Sequence, residues 1–273
     1  MVAETAYGRR YADTDQTTTD RNSIRSVRSH FGQRQLSAVV PQNPEYHRFA
    51  DMRSLCGIPN FGDVLSNAAF MAVGLLGLAT LLGRRRRDIF AEGTAAAPYI
   101  VFFAAVTLIG IGSAYYHLMP DTPRLFWDRL PMTTAFMSLF AAILADRIDR
   151  RTGNCWLLPL LILLGAASVI YWNWSESVGA GDLRFYVLVK FFPIITLPLI
   201  LWLFPSGYYM PSAPLLIVFL TYGVAIVLDR SDLAVFNALG GAVSGHTFKH
   251  LVAAMAAYLV LHMVARTPRR MAV

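Results

Sequence analysis

The sequence predicts an all-α membrane protein, a bundle of seven transmembrane helices preceded by a polar tail. The chain of 273 residues is 55% hydrophobic and only 15% charged, with a mean hydropathy of +0.45. A soluble domain would carry about 25% charged residues. The apolar residues also form blocks near the roughly 20 residues that a helix needs to cross a bilayer. Because lipid offers no hydrogen-bond partners to the backbone, and the alternating pattern of a membrane barrel is absent, blocks of this length indicate helices.

The apolar blocks define the domain boundaries. The predicted spans cover residues 64–83, 98–117, 130–147, 156–173, 184–203, 212–228 and 247–265. They form one membrane domain over residues 56–267, followed by a short basic tail at 268–273. Residues 1–55 are polar, are expected to be disordered, and contain no apolar region typical of a signal peptide. We therefore expect the first span to direct membrane insertion.

The arginines predict the orientation of the domain. The net charge is +7, but the arginines lie in the tail and in short loops, which argues against a nucleic-acid partner. We name the face where the first span begins side A and the opposite face side B. Side B carries the run Arg84–Arg87, and further arginines follow the third and seventh spans, so the positive-inside rule places side B and the C-terminus in the cytoplasm. Eight arginines in residues 1–55 argue the other way, but long segments count less in the rule. The Arg84–Arg87 run could instead bind anionic lipid.

Polar residues at the side A ends of the spans are the candidate functional residues. Ser113 and His117 are four residues apart at the end of the second span, so they share one helix face. Asp128 enters the third span from side A. His246 and His250, again four apart, begin the seventh span. Ionisable residues in membrane helices are costly and usually functional.

Three histidines from two helices at one depth predict a catalytic zinc site, in which three protein ligands leave a position for water. Asp128 could act as a general base or orient a histidine ligand, and Ser113 could donate a hydrogen bond to a developing oxyanion. Each residue also has a structural interpretation. Ser113 could serve helix packing, Asp128 could cap the third helix or pair with Arg124 or Arg129, and His117 could be interfacial. The spacing of His246 and His250 could be coincidental, and His262, near side B, is interpreted as structural.

The spacing of these five residues resembles that of the alkaline ceramidases, which belong to a superfamily of seven-helix membrane hydrolases that includes adiponectin-receptor-type proteins. The segments 112–117 (GSAYYH), 127–132 (WDRLPM) and 60–67 (NFGDVLSN) are similar to bacterial members. The resemblance covers residues 55–265. It is more specific to the superfamily than to ceramide as the substrate.

The resemblance implies that His117, His246 and His250 bind Zn²⁺, that Asp128 transfers protons and that Ser113 completes the site. It further implies hydrolysis of the amide bond of a ceramide-like N-acyl lipid to a fatty acid and a sphingoid-type amine, in a bacterial inner membrane. The orientation predicted from the arginines places the site towards the non-cytoplasmic face. Eukaryotic members bind calcium through an acidic stretch before the first helix. Here Asp51 is followed by Met52-Arg53-Ser54, and Asn60 stands near the later Glu position, so the sequence does not support a calcium site.

Other functions stay open at this point. The zinc could hydrolyse another acyl lipid, or it could hold helices together in a receptor-like or structural membrane protein. A transporter is disfavoured because we find no convincing internal repeat and no ionisable residue near the middle of a span. The partners predicted are the bilayer and a lipid substrate, with no protein partner.

Overall fold

The protein is entirely helical over the residues that its structure, a computed structural model, describes: 39–83, 86–90 and 93–267. Most of the predicted tail, Arg84 and Arg85 of the basic run, and the C-terminal tail 268–273 lie outside the described residues. The α-helices are α1 (Phe61–Ser66), α2 (Ala68–Leu82), α3 (Arg86–Ile89), α4 (Ala97–Leu118), α5 (Thr122–Arg147), α6 (Leu158–Ser177), α7 (Arg184–Leu203), α8 (Ser212–Arg230), α9 (Asp232–Ala238) and α10 (Gly245–Ala265). Short 3₁₀ turns at Pro44–His47 and Gly93–Ala96 and a π-helical turn at Thr152–Leu157 complete them.

Six helical stretches among the described residues are long and apolar enough to cross a membrane. They are Phe61–Leu82, Gly93–Leu118, Thr152–Ser177, Arg184–Leu203, Ser212–Arg230 and Gly245–Ala265. They correspond to six of the seven predicted spans. Large apolar side chains such as Ile195, Trp202 and Leu220 lie exposed on them. An apolar surface of this extent suits contact with lipid tails rather than water.

The remaining predicted span, residues 130–147, lies within α5, which does not meet the same criteria of length and composition. Charged residues stand at both of its ends, including Asp128 and Arg129 at one and Asp146 and Arg147 at the other. Arg129 and Arg147 are buried inside the protein. Helix α5 therefore combines an apolar middle with charged residues near its ends that lie partly or wholly inside the protein.

Helix packing leaves one side of the bundle open. Helix α4 packs against α2 and α5, α5 against α6 and α7, and α10 against α2 and α8. In contrast, α7 and α8 are consecutive in the chain but make almost no direct contact. A cavity of about 190 Å³ lies between α4, α5, α7, α8 and α10. Residues of both α7 and α8 line this cavity, on either side of the gap between them.

Residues 40–60, here called the N-terminal strap, pack against the helix ends on side A. The backbone oxygen of Val40 accepts a hydrogen bond from Leu183 N (2.8 Å), and Ala50 N donates one to Asp232 Oδ2 (2.8 Å). Asn60 Nδ2 donates to the backbone oxygen of His117 (2.8 Å). The compact unit accordingly begins at Val40, earlier than the predicted boundary at residue 56. The polar composition of the strap concealed this, because its backbone and polar side chains form many of the contacts, alongside the ring of Phe49.

Candidate metal centre

Three histidines converge at the side A end of the bundle. His117 lies in the last turn of α4, and His246 and His250 lie in the first two turns of α10. Ser244 caps α10 by accepting a hydrogen bond from Thr247 N (3.0 Å). The helix therefore begins at Gly245, one residue before His246. One ring nitrogen of each histidine lies within 4.8 Å of the others, and all three side chains are buried. The structure therefore brings together the predicted metal ligands.

Hydrogen bonds define which nitrogen of two histidines faces the cluster. Nδ1 of His246 lies 2.9 Å from Asp229 Oδ1. An ionised carboxylate only accepts hydrogen bonds, so Nδ1 donates and Nε2 keeps its lone pair. Nδ1 of His250 lies 2.8 Å from Ser66 Oγ, whose hydroxyl donates to the backbone oxygen of Asp63 (3.1 Å). Ser66 Oγ therefore accepts from His250, and again Nε2 is free to bind a metal.

One nitrogen–nitrogen distance in the cluster agrees with tetrahedral zinc coordination. Nε2 of His246 lies 3.2 Å from Nε2 of His117. Two nitrogens that each lie about 2.1 Å from a tetrahedral zinc ion are separated by about 3.4 Å. Nδ1 of His117 is buried and has no hydrogen-bond partner among the described residues. Three neutral imidazoles with no carboxylate among them form the kind of set that suits zinc.

Lys249 lies beside this cluster. Its Nζ lies 3.4 Å from Asp229 Oδ1 and 3.2 Å from Nε2 of His246. The ammonium therefore shares Asp229 with His246 and lies next to a nitrogen that a metal would use. A metal ion would take the lone pair of that nitrogen, and Lys249 would then keep Asp229 as its partner.

The strap covers the histidines from side A. The ring of Phe49 packs on His117 and His246, with ring centroids 4.7 and 4.5 Å apart. His47 holds the neighbouring part of the strap, since its ring nitrogens lie 2.9 Å from Tyr116 Oη and 3.1 Å from Thr122 Oγ1. The cluster is thus shielded from water on this side.

Ser113 and Asp128 line the same cavity as His250. Helices α4 and α5 come very close at this point, because a Cβ added to Gly112 would lie 2.1 Å from the backbone oxygen of Trp127. The glycine lets the backbone of Trp127 and Asp128 approach the helix that carries Ser113. The structure thus places both residues at the cavity that His250 lines, although they form no direct hydrogen bond to the histidine cluster.

The structural roles considered for Asp128 belong to other residues. Asp121 caps α5 by accepting a hydrogen bond from Arg124 N (2.7 Å), and it also pairs with the Arg124 side chain. The guanidinium of Arg129 donates to Gln42 Oε1 (2.7 Å) and stacks on the ring of Trp172, 4.1 Å from its centroid. The carboxylate of Asp128 is therefore not used as a helix cap or as a partner of either arginine.

Asp51 lies in the stretch compared above with a calcium site, and its carboxylate forms an ion pair with Arg53. Arg53 Nε donates to Oδ1 and Arg53 Nη2 to Oδ2 of Asp51, each over 2.7 Å. This guanidinium holds the pKa of the Asp51 carboxyl below its usual range. Arg53 also donates to the backbone oxygen of Ala242 (2.8 Å). The pair links the strap to the loop before α10.

Sequence reasoning missed four residues of this site: Asp63, Ser66, Phe49 and Asp229. Asp63 is fully buried, and its Oδ1 accepts hydrogen bonds from Thr247 (2.7 Å) and Ser244 (3.2 Å), which holds α1 against α10. Asp63 and Ser66 lie in the segment 60–67, which the sequence analysis had already singled out. Phe49 lies in the polar tail, and Asp229 was hidden at the end of an apolar span.

The chain has no match among known protein-family models, and no curated protein matches it. The residues and geometry of the site are therefore the evidence for its chemistry.

Proposed function

We propose that this protein is a zinc-dependent intramembrane hydrolase that cleaves the amide bond of ceramide-like N-acyl lipids, releasing a fatty acid and a sphingoid-type amine. One observation carries the proposal. A buried cluster of three histidines adjoins an apolar cavity that Ser113 and Asp128 also line. A site for structural zinc would need neither the cavity nor an unpaired carboxylate within it.

The roles of the residues follow from their chemistry. Zinc, when bound, polarises a carbonyl and makes water acidic near neutral pH. Asp128 accepts the proton that the attacking water loses and returns it to the leaving amine. Ser113 donates a hydrogen bond to the carbonyl oxygen as negative charge develops there. Asp229 and Ser66 hold His246 and His250 in the tautomer that leaves Nε2 unprotonated.

The cavity suits a substrate that arrives from the bilayer. Below the polar end its walls are apolar and extend down to Ile143 and Val260, which gives room for a hydrocarbon chain. Phe49 covers the opposite end, so the gap between α7 and α8 is the route that lipid would take. We further propose that α5 also crosses the membrane, which brings the number of spans to seven. The arginine distribution then supports a site that faces the non-cytoplasmic side.

An activity screen of the purified, zinc-loaded protein tests the proposal. The protein is incubated with ceramides, other N-acyl lipids and acyl esters, and released fatty acid is measured by mass spectrometry. We expect about one zinc per chain and hydrolysis of the amides. The His246→Ala, His250→Ala double variant should lose both, whereas His262→Ala, which alters a histidine outside the cluster, should keep both.

The outcomes separate the alternatives. Normal zinc content in the double variant would overturn the metal site. Bound zinc without hydrolysis of any acyl lipid would favour a structural zinc in a receptor-like protein. Hydrolysis of esters alone would assign the site to another class of acyl lipid.

A further inference from the structure

Two cations of the cavity wall have no hydrogen-bond or ion-pair partner among the described residues. Lys190 is the seventh residue of α7, about 9 Å into the helix, and it lines the cavity. Arg230, the last residue of α8, lines the cavity on the other side of the gap. Neither forms a hydrogen bond or an ion pair with a described residue. Arg230 is exposed at the end of α8, whereas Lys190 is half-buried within α7. Because an unpaired charge inside a membrane helix is costly, a residue placed like Lys190 usually has a functional partner.

Neither acidic residue of the cavity forms an ion pair with Lys190 or Arg230. The cavity is lined by two carboxylates, Asp128 and Asp229, and by three cations, Lys190, Arg230 and Lys249. Asp229 already accepts from His246 and Lys249. Asp128 lies on α5 and forms no ion pair with either of the remaining cations. The cavity wall thus carries an excess of positive charge beside an apolar chamber.

Two aromatic rings contact the Lys190 ammonium but do not neutralise its charge. Nζ of Lys190 lies 5.9 Å from the ring centroid of Tyr186 and 5.8 Å from that of Phe191. Cation–π contacts at this distance offset part of the lost hydration but leave the N–H donors free. Lys190 is half-buried, so its ammonium can reach a ligand in the cavity.

We propose that Lys190 and Arg230 form a binding site for an anionic oxygen group, a carboxylate or a phosphate, carried by the lipid in the cavity. The ligand is an amphiphile whose chain lies between the apolar helix faces and whose charge lies at the gap between α7 and α8. Two sources share this chemistry: an anionic head group on the substrate, and the carboxylate of a fatty acid product. The second source rests on the proposed function, whereas binding of the anion does not.

Equilibrium binding to the purified full-length protein in neutral detergent tests the site without requiring catalysis. The probes are palmitate, hexadecyl phosphate and hexadecanol, which share one chain and differ in charge. We expect the wild-type protein to bind both anions about tenfold more tightly than the alcohol, the scale of one charge-assisted hydrogen bond. Lys190→Gln should remove this preference and leave hexadecanol binding unchanged, and Lys190→Arg should restore it. Arg230→Gln should weaken the preference, and Arg151→Gln, at an exposed arginine outside the cavity, should not.

If the wild-type protein binds the two anions no more tightly than the alcohol, the proposal is overturned. It is also overturned if Lys190→Gln lowers the affinity for all three probes equally. If the protein is hydrolytic, kinetics then assign the source. A head-group site predicts that Lys190→Gln lowers kcat/KM for N-acyl lipids with a phosphate head group relative to neutral ones. A product site predicts weaker inhibition by palmitate with no change in substrate preference.

Discussion

Asp229 at the end of α8 accepts a hydrogen bond from Nδ1 of His246 on α10, over 2.9 Å. This pair connects two helices that are separated in sequence by the short helix α9 and a glycine-containing loop. A carboxylate behind a histidine ligand fixes the ring orientation and makes the opposite nitrogen a stronger base. Asp229 would thus position His246 as a ligand for a metal ion.

Replacement of this carboxylate should weaken the metal site without removing a ligand. We expect Asp229→Asn to lower zinc affinity about 10- to 100-fold, the range found for such partners in other zinc sites. Competition with a chromogenic chelator measures the change. Asp149→Asn, which alters a carboxylate outside the cavity, is the matched control. Unchanged affinity in Asp229→Asn would show that the hydrogen bond does not tune the metal.

Asp128 should be separable from metal binding. Because it lines the cavity and is not a member of the histidine cluster, Asp128→Asn should keep a full complement of zinc. Loss of the proton acceptor should lower kcat about 10²- to 10⁴-fold. Elemental analysis and hydrolysis rates on one preparation check both statements, with Asp88→Asn at an exposed site as the control. Full activity would remove Asp128 from the mechanism.

Gly112 should tolerate no side chain. In Gly112→Ala the new Cβ would meet the backbone of Trp127, which cannot rotate away, so α4 and α5 must separate. Overpacking of this kind costs about 1–3 kcal/mol, and it should also displace Asp128 and reduce activity. The melting temperature in detergent reports the stability change.

Gly223 provides the control for this substitution. It lies within α8 and has open space where a Cβ would be placed. Gly223→Ala should leave stability unchanged or raise it by up to about 1 kcal/mol, since alanine favours helix. Equal effects of the two substitutions would refute a specific contact between α4 and α5.

Phe49 should control access to the metal from side A. Removal of its ring in Phe49→Ala exposes the two histidines on which it packs, so water and chelators gain a path to the site. We expect zinc release into EDTA to become several-fold faster, measured by a stopped-flow metal indicator. Phe191→Ala, at the lipid-facing gap, should leave this rate unchanged. A Phe49 variant with the release rate of the wild-type protein would show that the strap does not seal the site.

The sequence indicated the metal cluster because its signals are local. A separation of four residues places His246 and His250 on one helix face whatever the rest of the fold does. The partners of these ligands depend instead on tertiary packing. Nothing near Asp229 in the sequence points to His246, which is 17 residues away and on another helix. Residues 40–55 were missed for a related reason, since their hydrogen bonds and the ring contacts of Phe49 join them to residues far away in the sequence.

The cover that Phe49 provides has a consequence for kinetics. A lipid hydrolase of the kind proposed needs two reactants, and its lipid would reach the cavity from the bilayer. Water would have to cross either the strap or the gap between α7 and α8 to reach the histidines. Entry of water into the cavity, rather than entry of lipid, would then limit the turnover rate. Osmolytes that withdraw water from proteins should slow such an enzyme even at saturating substrate.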